Sequence, residues 1–229
     1  MFKFIMVWFF TILILEANAD DALNAFKNRD YATAFKLYEK SALEGDAKAQ
    51  SALSYLYANG LGTKQDPKKS MEWLEKSALG GNSNAQYDLG MFYLNGQGVT
   101  QDKKRAFELL ESSSNQNNPN AQYNLALMHY NGDGADLNIT KSVELLESAA
   151  NGGHAVAKQN VGRVYMQLLN FDKAAEWFEK SAAAGDESSY YALAEIYSQV
   201  EKFKEAKIWA KKAIDSGNKE AQLLYKKYE

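Results

Sequence analysis

Apolar and small residues recur along this chain at helical spacing, and the whole arrangement returns at a fixed interval. In one unit Ala85, Leu89 and Tyr93 stand four residues apart, which places them on one stripe of a helix, and Gly90 leaves room for a neighbouring helix. A second helical pattern follows, with Ala or Ser and then Trp or Leu three residues later. The spacing therefore predicts pairs of amphipathic helices and an all-α fold.

Residues that can end a helix mark the interval. Gly and Asn enter the left-handed backbone conformation most readily, and one of them stands at each of positions 45, 81, 117, 153, 185 and 217. The first three intervals are 36 residues and the last two are 32. The difference in length falls in the turn inside a unit. The longer units have Gly-x-Gly there, at 60–62, 96–98 and 132–134, whereas the shorter units have 168–170 and 200–202, which contain no glycine. Because each Gly-x-Gly follows a helix rather than a strand, it predicts a tight turn and not a phosphate-binding loop.

Self-similarity at a fixed period is typical of solenoids, in which each repeat buries its apolar face against its neighbours. We expect a right-handed α/α superhelical solenoid over residues 20–217, with units at 20–45, 46–81, 82–117, 118–153, 154–185 and 186–217. Residues 218–229 are expected to form a C-terminal capping helix. Such a fold builds an extended binding surface rather than a single catalytic pocket.

The first nineteen residues have a different pattern. Lys3 precedes an apolar run from Phe4 to Leu15, and Ala17 and Ala19 are small residues placed as at a cleavage site. The run of about 12 residues is shorter than the roughly 20 needed to span a bilayer. We therefore predict a secretory signal peptide at residues 1–19, cleaved after Ala19, with no stable membrane anchor remaining.

Composition narrows the classes of function. The net charge of −3 argues against nucleic acid as a partner, because such binding usually needs a strongly basic face. The absence of cysteine excludes disulfides and thiolate chemistry, so an exported chain of this kind is most simply a periplasmic or secreted bacterial protein. The two histidines, His129 and His154, are expected to lie apart. We therefore expect no enzyme, no metal and no cofactor.

The motif Ala-x-x-x-Leu-Gly-x-x-Tyr-x-x-Gly-x-Gly-Val at Ala85–Val99 resembles a Sel1-like repeat. The resemblance is strong over residues 46–153, and the remaining units are more similar to tetratricopeptide repeats. The chain departs from the pattern at His129, where Tyr is usual, and at Ser113 and Ser114, where alanines are usual. The resemblance implies an α/α superhelix that binds other proteins. Exported bacterial members are associated with host contact, with envelope and secretion machinery, and with neutralising secreted antibacterial toxins.

Solenoid curvature would place the first helix of every unit on the concave side, where a partner protein could bind. The residues there that lie off the core stripe are the partner-binding candidates, and we refer to them as the ten first-helix residues: Tyr55, Tyr87, Met91, Leu94, Tyr123, Leu127, Tyr130, Arg163, Met166 and Tyr191. Aromatic residues and Arg are favoured at protein interfaces. The alternative is that some of these side chains pack between adjacent first helices and complete the core.

These patterns lead to one functional prediction and two alternatives. We expect a non-catalytic periplasmic module that binds a protein partner in its concave groove, with neutralisation of a secreted antibacterial toxin as the specific form. The alternatives are an envelope or secretion-system adaptor and an exported host-interaction factor.

Overall fold

The computed structural model describes residues 20–228, and the predicted signal peptide lies outside them. Residues 20–27 are helical and are named α1. Within 20–228 there is no strand, and no helix is long and apolar enough to cross a membrane. The other helices are α2 Tyr31–Leu43, α3 Ala47–Asn59, α4 Pro67–Leu79, α5 Ser83–Asn95, α6 Lys103–Ser114, α7 Pro119–Asn131, α8 Ile139–Asn151, α9 Ala155–Gln167, α10 Phe171–Ala183, α11 Ser189–Gln199, α12 Phe203–Asp215 and α13 Ala221–Lys227.

Side-chain caps fix where most first helices begin. Asp46, Asn82 and Asn118 each accept hydrogen bonds from backbone N–H groups in the first turn, which have no partner within the helix. His154 does the same for α9, because its Nδ1 accepts from the Ala157 N–H at 3.2 Å. Asp186 behaves differently: it accepts from Ser188 and Ser189, and α11 begins only at Ser189.

The predicted helix-ending residues are all in the left-handed region. Five of them are glycines with φ between 85° and 97°, and the sixth is Asn117 with φ 61°. The Gly-x-Gly turns are left-handed at both glycines, as expected. The shorter turns keep one left-handed residue without using glycine, at Leu169 with φ 56° and at Glu201 with φ 59°. An L-residue in this conformation is strained by roughly 1–2 kcal/mol.

The helices group into two compact units, each larger than one sequence repeat. We call them the first unit, which ends at Gln116, and the second unit, which begins at Asn117. In each unit successive helices pack on one another and are joined by short turns, which is the helical-repeat fold class that the sequence predicts. The core of the first unit contains two clusters, one around Leu53 and Tyr57 and one around Leu74 and Leu89. The core of the second unit includes Leu146, Val161, Trp177, Phe178 and Leu193.

Small residues on the first helices allow the second helices to come close. A Cβ at Gly90 would lie 3.0 Å from Leu110 Cγ, and one at Gly162 would lie 2.8 Å from Phe178 Cε2. Ser113, where alanine is usual, is fully buried and donates from its hydroxyl to the Ser83 carbonyl at 2.7 Å. This hydrogen bond offsets the cost of burying a hydroxyl in place of a methyl group.

Candidate protein-binding surface

A cavity of ≈ 1090 Å³ opens in the first unit between α3, α4 and α5. We call it the first-unit cavity. Three of the ten first-helix residues line it together: Tyr55 from α3, and Tyr87 and Met91 from α5. The side chain of Tyr55 is 53% exposed, and those of Tyr87 and Met91 are half-buried. Three residues selected by their spacing on the first helices thus lie around one cavity.

Apolar residues of α4 and α5 also line the first-unit cavity. Met71 and Leu74 of α4 line it, and Phe92 of α5 joins them. The Ser54 hydroxyl on α3 donates to the Ser70 carbonyl on α4 at 2.8 Å, which ties the two helices together beside the cavity. Tyr55 also meets the Phe26 ring edge-on, with centroids 6.0 Å apart. Much of the lining is thus apolar and held by packed helices, as in small-molecule and side-chain binding sites.

The charged groups around the first-unit cavity are mostly acidic. Glu72 and Glu75 of α4 and Asp88 of α5 line it, together with one base, Lys68. Asp88 is exposed, but partial desolvation by its neighbours raises the pKa of its carboxyl. Asp88 is not among the residues predicted from the sequence, because an acidic residue on an amphipathic helix normally indicates the solvent face.

In the second unit, two predicted tyrosines connect successive first helices. The Tyr123 hydroxyl accepts from Asn160 Nδ2 at 2.9 Å, and its ring stacks on the His154 imidazole with centroids 4.2 Å apart. The Tyr130 hydroxyl donates to Gln167 Oε1 at 2.7 Å. Both tyrosines are half-buried. They therefore contribute to helix packing and still present part of their surface to solvent.

The remaining predicted residues have three different surroundings. Met166 and Tyr191 line a smaller cavity of ≈ 480 Å³ together with Leu224 of α13, and burial is the main cause of a raised pKa at Tyr191. Leu94 is half-buried against the core cluster around Leu74 and Leu89. Arg163 is exposed and Leu127 is half-buried. The ten first-helix residues thus share partial exposure but do not all line one cavity.

The histidines occupy local structural positions. His129 Nδ1 lies 3.2 Å from the Asp136 carbonyl oxygen, and His154 caps α9. Burial lowers the pKa of His154, which favours the neutral ring that can accept at Nδ1. Across residues 20–228 no group of three or more His, Cys, Asp or Glu side chains is arranged to hold a metal ion.

Comparison with known proteins identifies the repeat. A model of the Sel1 repeat matches residues 26–46, 47–82, 83–118, 119–154, 160–186 and 188–218. No curated protein matches the sequence.

Solved structures share the fold. A Sel1 repeat protein from Oxalobacter formigenes is 24% identical, with a TM-score of 0.70 over 91% of this chain and 86% of that chain. A protective antigen present in uropathogenic Escherichia coli strains, displaying an SLR fold, is 30% identical, with a TM-score of 0.66 over 83% of this chain and 43% of that chain. PilF of Pseudomonas aeruginosa is 15% identical, with a TM-score of 0.55 over 93% of this chain and 96% of that chain.

Proposed function

Because the chain belongs to the Sel1 repeat family, we propose that it is a non-catalytic protein that binds another protein through the exposed faces of its first helices. Sel1 and tetratricopeptide-like repeats are typically interaction scaffolds, since stacked helix pairs create extended surfaces. One observation carries the proposal: Tyr55, Tyr87 and Met91 converge on an open cavity although the core stripe already has its own residues. Partly exposed aromatic and methionine side chains in a cavity are typical of protein-binding sites.

The other first-helix residues extend the proposed binding surface within each unit. None of the ten is buried, and Tyr123, Tyr130, Arg163, Met166 and Tyr191 present partly or fully exposed side chains in the second unit. The hydrogen bonds at Tyr123 and Tyr130 hold these rings in place before a partner arrives. Side chains that are fixed in advance lose less conformational entropy on binding, which favours affinity.

The proposal places the protein in the bacterial periplasm, because residues 1–19 have the pattern of a cleaved signal peptide and the chain has no cysteine. We propose neutralisation of a secreted antibacterial toxin as its specific form, which is one of the roles that the resemblance to exported Sel1 proteins implies. An envelope adaptor or a host-interaction factor would use the same surface with a different partner.

The test is capture of a stoichiometric partner by the full chain carrying a C-terminal tag, expressed so that it is exported. The partner would be identified by mass spectrometry, purified, and titrated against the protein by calorimetry. We expect the double variant Tyr55→Ala with Tyr87→Ala to bind at least about tenfold more weakly, because truncating aromatic anchors commonly costs more than 1 kcal/mol each. If the captured partner is a toxin, adding the purified protein should inhibit its activity.

A control variant truncates two large apolar side chains elsewhere. Leu43 and Leu79 stand at the ends of second helices and are 72% and 88% exposed, and neither lines the first-unit cavity. The double variant Leu43→Ala with Leu79→Ala should bind like the wild type. Retained binding in the tyrosine variant, with loss in the leucine variant, would contradict the proposed surface. Circular dichroism of both variants checks that each is folded.

A further inference from the structure

The first-unit cavity is lined by two residues that differ from a hydrogen-bonded pair elsewhere in the chain, and one of them, Ser51, has a smaller side chain than its equivalents. The repeat interval places Ser51 and Asp88 in the first unit where Tyr123 and Asn160 stand in the second unit. Tyr123 and Asn160 are joined by a 2.9 Å hydrogen bond, which links α7 to α9. Ser51 is too short to make the corresponding contact, and both Ser51 and Asp88 line open space between α3 and α5.

The carboxylate at position 88 is not a requirement of the repeat. The equivalent positions in the other units hold neutral residues, at Ala52, Asn124, Asn160 and Ala192. The helices therefore form and pack without an acid there. Asp88 is exposed in the folded protein, and partial desolvation by its neighbours raises the pKa of its carboxyl. A cation placed beside a partly desolvated carboxylate stabilises its charged form.

The surroundings of Asp88 suit an organic cation. Glu72 and Glu75 add negative charge at the same cavity, against the single positive charge of Lys68. The rings of Tyr55, Tyr87 and Phe92 are also part of the lining. Aromatic faces attract guanidinium and ammonium groups, and the attraction strengthens when water is excluded. A volume of ≈ 1090 Å³ accommodates such a side chain together with the backbone on either side of it.

We propose that the first-unit cavity receives an arginine or lysine side chain of the partner protein, which forms an ion pair with Asp88 between the rings of Tyr55 and Tyr87. This inference rests on the proposed function, since it assigns the chemistry of the partner at that surface. The acidic rim also attracts a basic segment over a longer range and increases its association rate at low salt.

The test uses short peptides as probes, so that it does not depend on knowing the partner. The protein, purified after expression of the full chain, is titrated with acetyl-Ala-Arg-Ala-amide and with the citrulline peptide, which has the same shape without the charge. Two-dimensional ¹H–¹⁵N spectra report which amides move. We expect saturable shifts in α3, α4 and α5 with the arginine peptide, and binding at least about tenfold weaker with the citrulline peptide.

Two variants address the ion pair and the space separately. Asp88→Asn introduces the residue that the same chain carries at the equivalent positions 124 and 160, and it should weaken binding of the arginine peptide about tenfold or more. Ser51→Tyr should fill the cavity and abolish binding of both peptides. The control Glu111→Gln makes the same change of charge at an exposed residue of α6 outside the cavity, and it should bind like the wild type.

Three results would overturn the inference: equal binding of the arginine and citrulline peptides, unchanged binding by Asp88→Asn, or no saturable shift up to about 20 mM peptide. If one of these occurs while the tyrosine double variant still loses its protein partner, the proposed function stands and only the assignment of a basic side chain is wrong. If the arginine peptide binds as expected but the full chain captures no stoichiometric partner, the proposed function fails instead.

Discussion

The turn between α3 and α4 offers a severe test of how closely the first unit is packed. Gly62 has φ +69°, and a Cβ added there would lie 2.0 Å from the carbonyl oxygen of Tyr31, in the first turn of α2. Gly81 has φ +85° with no atom within 4 Å of an added Cβ. Alanine at Gly81 therefore destabilises the folded state only through its left-handed conformation, which costs about 1–2 kcal/mol. Alanine also makes the unfolded chain less flexible, which offsets about 0.5–1 kcal/mol of this cost.

Alanine at Gly62 carries the same conformational cost and adds an overlap with the backbone of α2. Overpacking typically costs about 1–3 kcal/mol, and here the contact atom cannot rotate away as the end of a side chain could. We expect Gly81→Ala to lower the free energy of unfolding by about 1 kcal/mol and Gly62→Ala by about 3 kcal/mol. Urea unfolding followed by circular dichroism measures both values. Because repeat proteins can unfold unit by unit, hydrogen exchange of the α2 amides should locate the loss. Equal stability of the two variants would refute the close approach of this turn to α2.

Two further predictions concern the second unit. Burial lowers the pKa of His154 from its usual 6.5, so below pH about 6.5 the unfolded chain binds more protons than the folded chain and stability falls as the pH decreases. His154→Asn keeps a side-chain cap for α9 without a titrating group. The melting temperature of this variant should therefore fall less between pH 8 and pH 5 than that of the wild type. An equal fall would show that His154 does not cause the loss of stability. Glu201 has φ 59°, so Glu201→Gly should relieve left-handed strain and raise stability by about 0.5–1 kcal/mol after the entropy of glycine is counted. A lower melting temperature for Glu201→Gly would show that the left-handed backbone of Glu201 is not strained.

The helical repeat could be predicted because it depends on residue type and spacing alone. Gly81 and Asn117 end helices since they enter the left-handed region readily, and their positions in the sequence define the interval. Leu169 and Glu201 occupy the same region without any signal in their residue type. Their conformation follows from the geometry of a shortened turn, in which the hydrogen bonds of the flanking helix ends fix the backbone. Such strain is visible only once the surrounding helices are in place.

The candidate surface was predictable in part for the same reason. Tyr55, Tyr87 and Met91 were selected because they lie off the core stripe, and they line one cavity. The hydrogen bond between Tyr130 and Gln167 was not foreseen, since it joins residues 37 positions apart and depends on how the side chains reach across neighbouring helices. Asp88 is not predicted because a single acidic residue has no periodic signal.

The repeat itself explains how one unit can acquire a binding site while the fold is kept. Position 51 and position 88 lie on the faces of successive first helices that point towards each other, and at the equivalent positions the second unit has the hydrogen-bonded pair Tyr123 and Asn160. An aspartate at 160 would reverse the direction of that hydrogen bond, because an ionised carboxylate only accepts and the Tyr123 hydroxyl would then be the donor. The carboxylate at 88 instead faces Ser51, which is too short to form such a link, and both residues line a cavity. Since the core stripes differ little between the units, exchanging these two positions changes what the space between the helices can bind and leaves the helix pairs themselves intact.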